Sequence, residues 1–543
     1  MQNKKRYIWY FTHLFVPLQA EMIRFISKIA ELHWWNRVLP LLFAFTFSLF
    51  TAEAKIRIML ISDPHVMGPG LLISEGEAWH NAIKYDRKLN QYSRAIYDEA
   101  ITIALREKPD IFLISGDLTK EGELLSHQYV VKKLQELKAA GIKALVIPGN
   151  HDMGTEDAFY YDDIEMYEAE VINTSLFAEI YKDFGYGDDM QREPTSLTWC
   201  CEPVDGLVII GIDTGHDKDL LNGAISSTTM DWVLERAEEA TLAGKRIIVM
   251  MHHSLFPHVT NAEKFSSSYA VKLGVKNSFG FYNYLSYRYV RNLLADAGVS
   301  VVLSGHVHAS DIAKDANAKL TRTIHDICTA TCAAYPNPYR MLTLNDDGVT
   351  MGIQTHYISE LPGVDDFAAK SEEQLKDGLI NIVYEKCHKM DFSKLFADLF
   401  RIHVEGNEPD NPRYQEFMDM YEDYLPEMRE DAQIKDFLEA YSVTYEELDQ
   451  MILSLLEDKS NYGDPERESL DSDLNTTIPV FGDGWTGIYS KEMRREGVSS
   501  EGEKDEIGGS QWFTLQGVRI AKPEHKGIYI HKGNNGTKLI HKH

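Results

Sequence analysis

The stretch Ile56-Arg-Ile-Met-Leu-Ile-Ser-Asp-Pro-His65 is an apolar, strand-like run that ends in an aspartate and a histidine. Segments with helical periodicity separate this run from similar runs further along the chain, and such alternation predicts an α/β fold. Because open α/β sheets bind ligands at the carboxyl ends of their strands, we expect the polar residues after these runs to meet in one site. The later polar clusters are Gly116-Asp117, Gly149-Asn-His-Asp152, His252-His253 and Gly305-His-Val-His308.

These clusters supply carboxylates, imidazoles and one amide, which are the ligand types that hold two divalent metal ions around a phosphate ester. One carboxylate must bridge the two ions, and Asp117 suits this because it stands alone after its strand beside a glycine. Asp63 and His65 are two residues apart at a strand end, so they project to the same side and can hold one ion. Imidazole plus carboxylate suits Mn, Fe, Zn, Co or Ni, and the order of affinities does not choose among them. The remaining predicted ligands are Asn150, His252, His306 and His308.

His151 is not needed as a metal ligand. We predict that it orients the substrate or protonates the leaving oxygen. Asp152 is the predicted partner that fixes the tautomer of His151. We interpret His253, His258 and Asp213 as structural residues.

In this order, the motifs D-x-H, G-D, G-N-H-D, H and G-H-x-H resemble those of the calcineurin-like metallophosphoesterases, over about residues 55–357. The resemblance implies a four-layer α/β/β/α sandwich with a dinuclear metal site at the strand ends. It also implies hydrolysis of a phosphate ester by a metal-bound hydroxide. In the pair His252-His253 it makes the first histidine the ligand and leaves the second beside the substrate. The implied ligand sets are Asp63, His65, Asp117 and His308 for one ion, and Asp117, Asn150, His252 and His306 for the other.

Departures from neighbouring subfamilies narrow the expected activity. Lys120 stands where the purple acid phosphatases have a tyrosine, so a tyrosinate-bound ferric ion is not expected. The run from Gly116 to Gly122 also differs from the G-D-x-x-D-R-G motif of the protein Ser/Thr phosphatases. The remaining pattern looks closest to the cyclic-nucleotide and glycerophosphodiester phosphodiesterase branch. We therefore expect hydrolysis of a small phosphodiester; the alternatives are a phosphomonoesterase or nucleotidase, and a non-catalytic binding protein on the same fold.

Beyond the catalytic region the composition changes. Apolar residues at helical spacing in an acidic stretch predict an accessory helical domain.

Two long loops, 153–201 and 254–284, follow site clusters, and long loops often bind ligands. Five aromatic residues in these loops either stack on a flat substrate group or pack the loops onto the body: Tyr160, Tyr161, Phe256, Tyr269 and Tyr282. The predicted divisions are a signal-peptide region at 1–54, the phosphoesterase domain at 55–357, the helical domain at 358–458, a linker at 459–510 and a β-like tail at 511–543.

The N-terminal region has the order of parts found in a secretory signal peptide. Basic residues precede the apolar run Val38–Phe50, which is shorter than the roughly 20 residues of a membrane span. Ala52-Glu-Ala54 then has the small-x-small pattern of a cleavage site. We expect cleavage after Ala54, no stable membrane span in the processed chain, and a secreted, periplasmic or cell-surface location.

The net charge of −28 argues against bulk binding of nucleic acid, because that binding needs Lys and Arg to displace counterions from phosphates. The expected partner, which the ligand pattern and the resemblance imply, is a small phosphorylated molecule. Composition leaves the oligomeric state open.

Overall fold

The computed structural model describes residues 55–216, 220–259, 261, 264, 268–278, 280–319, 321–345, 347–405, 412–456, 473–480, 511–514, 519–520, 527–533 and 536–542. The predicted signal-peptide region, residues 1–54, lies outside the described residues. The α-helices are α1 (Glu77–Ile83), α2 (Ser93–Glu107), α3 (Leu124–Ala139), α4 (Thr174–Ile180), α5 (Ser227–Leu242), α6 (Tyr287–Asp296), α7 (Phe367–Cys387), α8 (Met390–Glu405), α9 (Pro412–Glu430), α10 (Ala432–Ala440) and α11 (Tyr445–Leu456).

The strands are β1 (Ile56–Ile61), β2 (Ile111–Ile114), β3 (Lys143–Val146), β4 (Phe159–Tyr161), β5 (Met166–Glu168), β6 (Gln191–Arg192), β7 (Trp199–Val204), β8 (Leu207–Ile212), β9 (Ala224–Ser226), β10 (Arg246–Met251), β11 (Lys272–Lys276), β12 (Tyr282–Leu285), β13 (Val301–Ser304), β14 (Asp311–Ala316), β15 (Thr323–Cys328), β16 (Pro338–Leu344), β17 (Thr350–Tyr357), β18 (Asn475–Pro479), β19 (Gln511–Thr514), β20 (Arg519–Ile520), β21 (Gly527–Gly533) and β22 (Gly536–Lys542).

Two large sheets carry the polar clusters. In the first, the described strands run β18-β17-β16-β1-β2-β3, and β1, β2 and β3 are parallel. In the second they run β14-β15-β13-β10-β8-β7-β6, and β8, β10, β13 and β15 are parallel. The five predicted clusters follow β1, β2, β3, β10 and β13, so each lies at the carboxyl end of a parallel strand.

The two sheets pack face to face with helices on their outer sides. Because side chains alternate along a strand, Ile209 and Ile248 of the second sheet point into the core shared with the first sheet. Their neighbours Ile210 and Val249 point into a separate core with α5 and α6. On the far side of the first sheet, α2 and α3 pack buried residues such as Tyr97 against that sheet. The order helix, sheet, sheet, helix confirms the predicted four-layer α/β/β/α sandwich.

The predicted helical region is present as α7 to α11. These helices share a core of their own, which includes Phe392, Phe417 and Ile434. A further cluster joins Leu375 of α7 to Val307, which lies between two candidate metal ligands. The accessory helices therefore pack directly against the end of the sandwich that holds the polar clusters.

Part of the predicted linker belongs to the first sheet. Strand β18 pairs antiparallel with β17, and Ile478 and Val480 are buried in the shared core. The interpretation of residues 459–510 as a linker is therefore wrong for residues 473–480. The few apolar residues of this strand are surrounded by polar residues, so the composition of the segment did not reveal the strand. The rest of the predicted linker lies outside the described residues.

The predicted β-like tail contains a sheet whose described strands run β20-β19-β21-β22. Among the described residues, no helix is both long and apolar enough to cross a membrane.

Candidate metal centre

Four predicted ligands form a tight, buried cluster at the ends of β1, β2 and β13. Asp63, His65, Asp117 and His308 each offer a ligand atom, and these atoms all lie within 4.8 Å of one another. The His65 Nε2 atom is 3.2 Å from His308 Nε2, and His308 Nε2 is 3.1 Å from Asp63 Oδ1. These are the residues that the resemblance assigns to one metal ion.

The second predicted set lies on the other side of Asp117. The Nε2 atom of His252 is 3.2 Å from Asp117 Oδ2 and 3.1 Å from Asn150 Oδ1. The ring of His306 lies 5.2 Å from that of His252, centroid to centroid. Asp117 Oδ2 is also 3.6 Å from His65 Nε2, so one carboxylate oxygen faces both groups of residues.

The backbone at this site is strained. Within the described residues, five predicted ligands have a left-handed backbone, which costs a residue other than glycine about 1–2 kcal/mol. Strain of this kind persists where function requires a particular side-chain direction. The φ angles are 49° at Asp63, 41° at His65, 49° at Asp117, 66° at His306 and 62° at His308.

Hydrogen bonds and close backbone contacts hold the ligands in place. The Nδ1 atom of His252 lies 2.9 Å from the carbonyl oxygen of Ser115, and this contact directs Nε2 into the site. The backbone N–H of His306 donates to the carboxylate of Asp63 at 3.2 Å. A Cβ atom on Gly149 would lie 2.3 Å from the backbone nitrogen of Asp117, so this position requires a glycine.

The donor set fits divalent metal ions. Burial alone would raise the pKa of Asp117, but the His252, His151 and His65 rings lower it well below its usual value. The buried His65 Nδ1 and His308 Nδ1 atoms have no hydrogen-bond partner among the described residues. Imidazoles and carboxylates that converge in a buried space are the ligands that first-row divalent ions prefer. The cluster is therefore a site for a divalent metal.

His151 lies beside the cluster and has a carboxylate partner. Its ring centroid is 5.1 Å from that of His65, and its side chain is 33% exposed. Its Nδ1–H donates to Glu121 Oε2 at 2.8 Å. This contact leaves Nε2 available for a substrate oxygen.

The predicted role of Asp152 as the partner of His151 is wrong. The Asp152 carboxylate accepts hydrogen bonds from the backbone N–H groups of Leu118, Thr119 and Gly149, at 3.1, 2.9 and 2.8 Å. It therefore ties the loop after β3 to the loop after β2, and the position beside His151 belongs to Glu121. Sequence reasoning missed Glu121 because no motif marks it, although it lies four residues after Asp117 on the same loop.

Of the three residues interpreted as structural, His253 lies beside a predicted ligand, and Asp213 and His258 lie outside the ligand cluster. His253 Nδ1 contacts Thr214 Oγ1 at 2.7 Å, and its ring lies 4.3 Å from that of His306. Asp213 accepts a hydrogen bond from the backbone of Gly215 at 3.1 Å, outside the ligand cluster. His258 Nε2 lies 3.0 Å from Asp326 Oδ2 in a buried network, also outside the cluster.

A cavity of about 400 Å³ opens over the ligands. Tyr269, one of the loop aromatics, lines it, whereas Tyr161 and Phe256 are buried in apolar clusters. Tyr160 stacks on Tyr167, and Tyr282 lies in β12. Sequence reasoning did not single out six further lining residues, which are Tyr85, Asp86, Arg87, Lys88, Ser268 and Ile382.

Comparisons with known proteins agree with this geometry. The model of the calcineurin-like phosphoesterase family matches residues 56–310. A probable cyclic nucleotide phosphodiesterase from Synechococcus is 24% identical over 258 residues, which make up 47% of this chain and 78% of that protein.

Two solved structures are also similar. A dimetal phosphatase from Danio rerio aligns with 12% identity and a TM-score of 0.37, over 56% of this chain and 96% of that one. The GAP50 anchor of the inner membrane complex of Plasmodium aligns with 11% identity and a TM-score of 0.27, over 60% of this chain and 95% of that one. Residues 56–310 therefore match the calcineurin-like phosphoesterase family and carry the metal cluster, and together these findings support a metal-dependent phosphoester hydrolase.

Proposed function

We propose that the chain is a phosphodiesterase that acts on a small phosphorylated substrate at a dinuclear metal centre. The observation that carries this proposal is the position of Asp117 Oδ2, which lies 3.6 Å from His65 Nε2 and 3.2 Å from His252 Nε2. One carboxylate oxygen between two groups of imidazoles is the arrangement that a bridging ligand requires. The proposed ligands are Asp63, His65, Asp117 and His308 for one ion, and Asp117, Asn150, His252 and His306 for the other.

Two divalent ions bound there would supply a hydroxide nucleophile near neutral pH and neutralise charge on the phosphate oxygens. His151 then protonates the leaving oxygen through Nε2, because its Nδ1–H is held by Glu121. His253 lies beside His306 and its Nδ1 atom contacts Thr214 Oγ1, so it supports the ring of that ligand. The backbone N–H groups of Leu118 and Thr119 donate to the Asp152 carboxylate. These hydrogen bonds fix the position of the loop after β2 relative to the loop after β3.

One observation supports a diester over a monoester: the 24% identical relative from Synechococcus is itself a probable cyclic nucleotide phosphodiesterase. Lys120, at the position of the purple acid phosphatase tyrosine, is buried and lies over the ring of Tyr161 at 5.7 Å, which argues against a tyrosinate-bound ferric ion. The metal identity is left to experiment, since the ligand set accepts several first-row ions.

The test compares bis-p-nitrophenyl phosphate with p-nitrophenyl phosphate on protein reconstituted with Mn²⁺, Zn²⁺, Co²⁺, Ni²⁺ or Fe²⁺. We expect kcat/KM to be higher for the diester and to vanish on chelation. Metal analysis of active protein should give two ions per chain. A preference for the monoester would replace the proposed activity with that of a phosphomonoesterase or nucleotidase, and a single bound ion would refute the dinuclear centre.

We also propose that the protein is exported, with cleavage after Ala54. The support is the order of basic residues, the apolar run Val38–Phe50 and the small residues Ala52 and Ala54. N-terminal sequencing of the exported protein should begin at Lys55, and recovery of active protein with residues 1–54 still attached would contradict it.

A further inference from the structure

Two cationic residues line the cavity that holds the metal ligands. Arg87 and Lys88 line the cavity together with Asp117, His151 and His308. Both side chains are half-buried. Within the described part of the chain, no salt bridge engages either of them, although the Arg87 guanidinium lies 5.3 Å from the centre of the Phe400 ring.

The segment 84–88 contains one carboxylate, Asp86, and both of its oxygens already accept hydrogen bonds. Asp86 Oδ1 accepts from the backbone N–H of Lys88 at 2.9 Å, and Asp86 Oδ2 accepts from the amide of Asn90 at 2.6 Å. Asp86 therefore stabilises the conformation of its own loop. Arg87 and Lys88, which follow it in the chain, remain available to an anion in the cavity.

Arg87 and Lys88 share this cavity with three of the proposed metal ligands, which are Asp117, His306 and His308. An anionic group held by Arg87 and Lys88 would therefore lie in the same cavity as the reacting phosphate.

The accessory helix α7 holds this segment in place from about 290 residues further along the chain. The Gln374 side-chain amide donates to the carbonyl of Asp86 at 2.7 Å, and that of Asn381 donates to the carbonyl of Lys84 at 2.9 Å. Gly378 lies between them on the same face, where a Cβ atom would come within 2.4 Å of the Asp86 carbonyl oxygen. The close fit gives the helical region a role in the substrate site.

We propose that Arg87 and Lys88 bind a second phosphate group of the substrate, so that the enzyme acts on phosphate esters that carry a further phosphoryl group. The inference rests on the proposed function, because it places the reacting phosphate at the metal centre. A guanidinium donates in a planar fork that matches two phosphate oxygens, and an ammonium adds a compact charge. A substrate whose single negative charge lies at the metal centre would leave Arg87 and Lys88 without an anionic partner.

Binding measurements test the proposal without relying on turnover. The probes are propyl phosphate and the bisphosphates of 1,3-propanediol, 1,4-butanediol and 1,6-hexanediol, which offer three spacings between two phosphate groups. Calorimetric titration into Mn²⁺-loaded protein should show at least one bisphosphate binding about tenfold or more tightly than propyl phosphate, since charge-assisted hydrogen bonds contribute that much.

The variants Arg87→Gln, Lys88→Gln and their combination should reduce this preference, and the double variant should abolish it. Lys84→Gln is the matched control, because Lys84 is an exposed cation on the same segment that does not line the cavity. It should keep the preference unchanged. Asn381→Ala and Gln374→Ala should weaken the preference by a smaller factor, because they loosen the segment while leaving its charges present.

The proposal is overturned if no bisphosphate binds more tightly than propyl phosphate, or if the preference survives in the double variant. Failure of the proposed function has a different signature. In that case propyl phosphate binding would not depend on Mn²⁺, and bis-p-nitrophenyl phosphate would not be hydrolysed.

Discussion

Replacing Glu121 with glutamine tests whether the pair Glu121–His151 positions the general acid. The substitution keeps the size of the side chain and removes the negative charge that accepts from His151 Nδ1–H at 2.8 Å. In the wild-type protein this bond selects the tautomer and the direction of the ring. In the variant the amide can offer either a donor or an acceptor to Nδ1, so part of the population has the wrong tautomer.

The magnitude follows from the burial of the pair. A hydrogen bond to a charged group contributes about 1.5–3 kcal/mol. The side chains of Glu121 and His151 are 12% and 33% exposed, so solvent weakens the bond and the lower part of this range applies. A loss of about 1.5–2 kcal/mol corresponds to a decrease of about tenfold to thirtyfold in kcat.

The assay uses methyl p-nitrophenyl phosphate and methyl phenyl phosphate, which differ in the basicity of the leaving phenolate. A weakened acid should slow the phenyl ester by the full factor and the nitrophenyl ester by much less, because nitrophenolate leaves without full protonation. Glu156→Gln is the control, since it removes an exposed carboxylate close by in the chain. Metal content and melting temperature are measured on each protein. Equal losses on both esters, or a kcat within about threefold of wild type on the phenyl ester, would refute the positioning role.

Three further predictions concern the bridge, the buried histidine network and the helix contact. Asp117→Asn should lower kcat/KM more than about a hundredfold and reduce bound metal measured by mass spectrometry; unchanged metal content would argue against the bridge. Burial alone would lower the pKa of His258, but Asp311, Cys328 and Asp326 raise it well above its usual value. The charged ring therefore stabilises the fold fully below its unfolded pKa of about 6.5, and this stabilisation is lost as the pH rises through the higher folded pKa. His258→Gln should cost about 3 kcal/mol at about pH 6 and less at about pH 10, as followed by thermal melts; a loss that grows with pH would contradict the sign. Gly378→Ala should lower the melting temperature even though alanine favours a helix by about 1 kcal/mol, because its Cβ would lie 2.4 Å from the Asp86 carbonyl oxygen; a higher melting temperature would show that the segment yields.

Local sequence determined the chemistry of the metal centre. Apolar runs followed by Asp63, Asp117 and His252 predicted parallel strands with ligands at their ends, and a sheet brings such ends together at one edge. Strand and helix periods likewise predicted the α/β class, because they depend on neighbouring residues, whereas the four-layer arrangement was implied by the resemblance to the calcineurin-like metallophosphoesterases. These are short-range properties, and a sequence displays them directly.

Only the tertiary structure decided which residues support those ligands. Asp152 adjoins His151 in sequence, but the turn after β3 directs its carboxylate to backbone N–H groups of another loop, and Glu121 takes the place beside the ring. The sequence also did not reveal strand β18, because this segment forms a strand by pairing with β17 and its own composition does not favour one. The placement of Arg87 depends on helix α7, which packs against its segment through contacts between residues about 290 positions apart. Contacts of that range arise from the packing of whole elements, and no local pattern in the sequence encodes them.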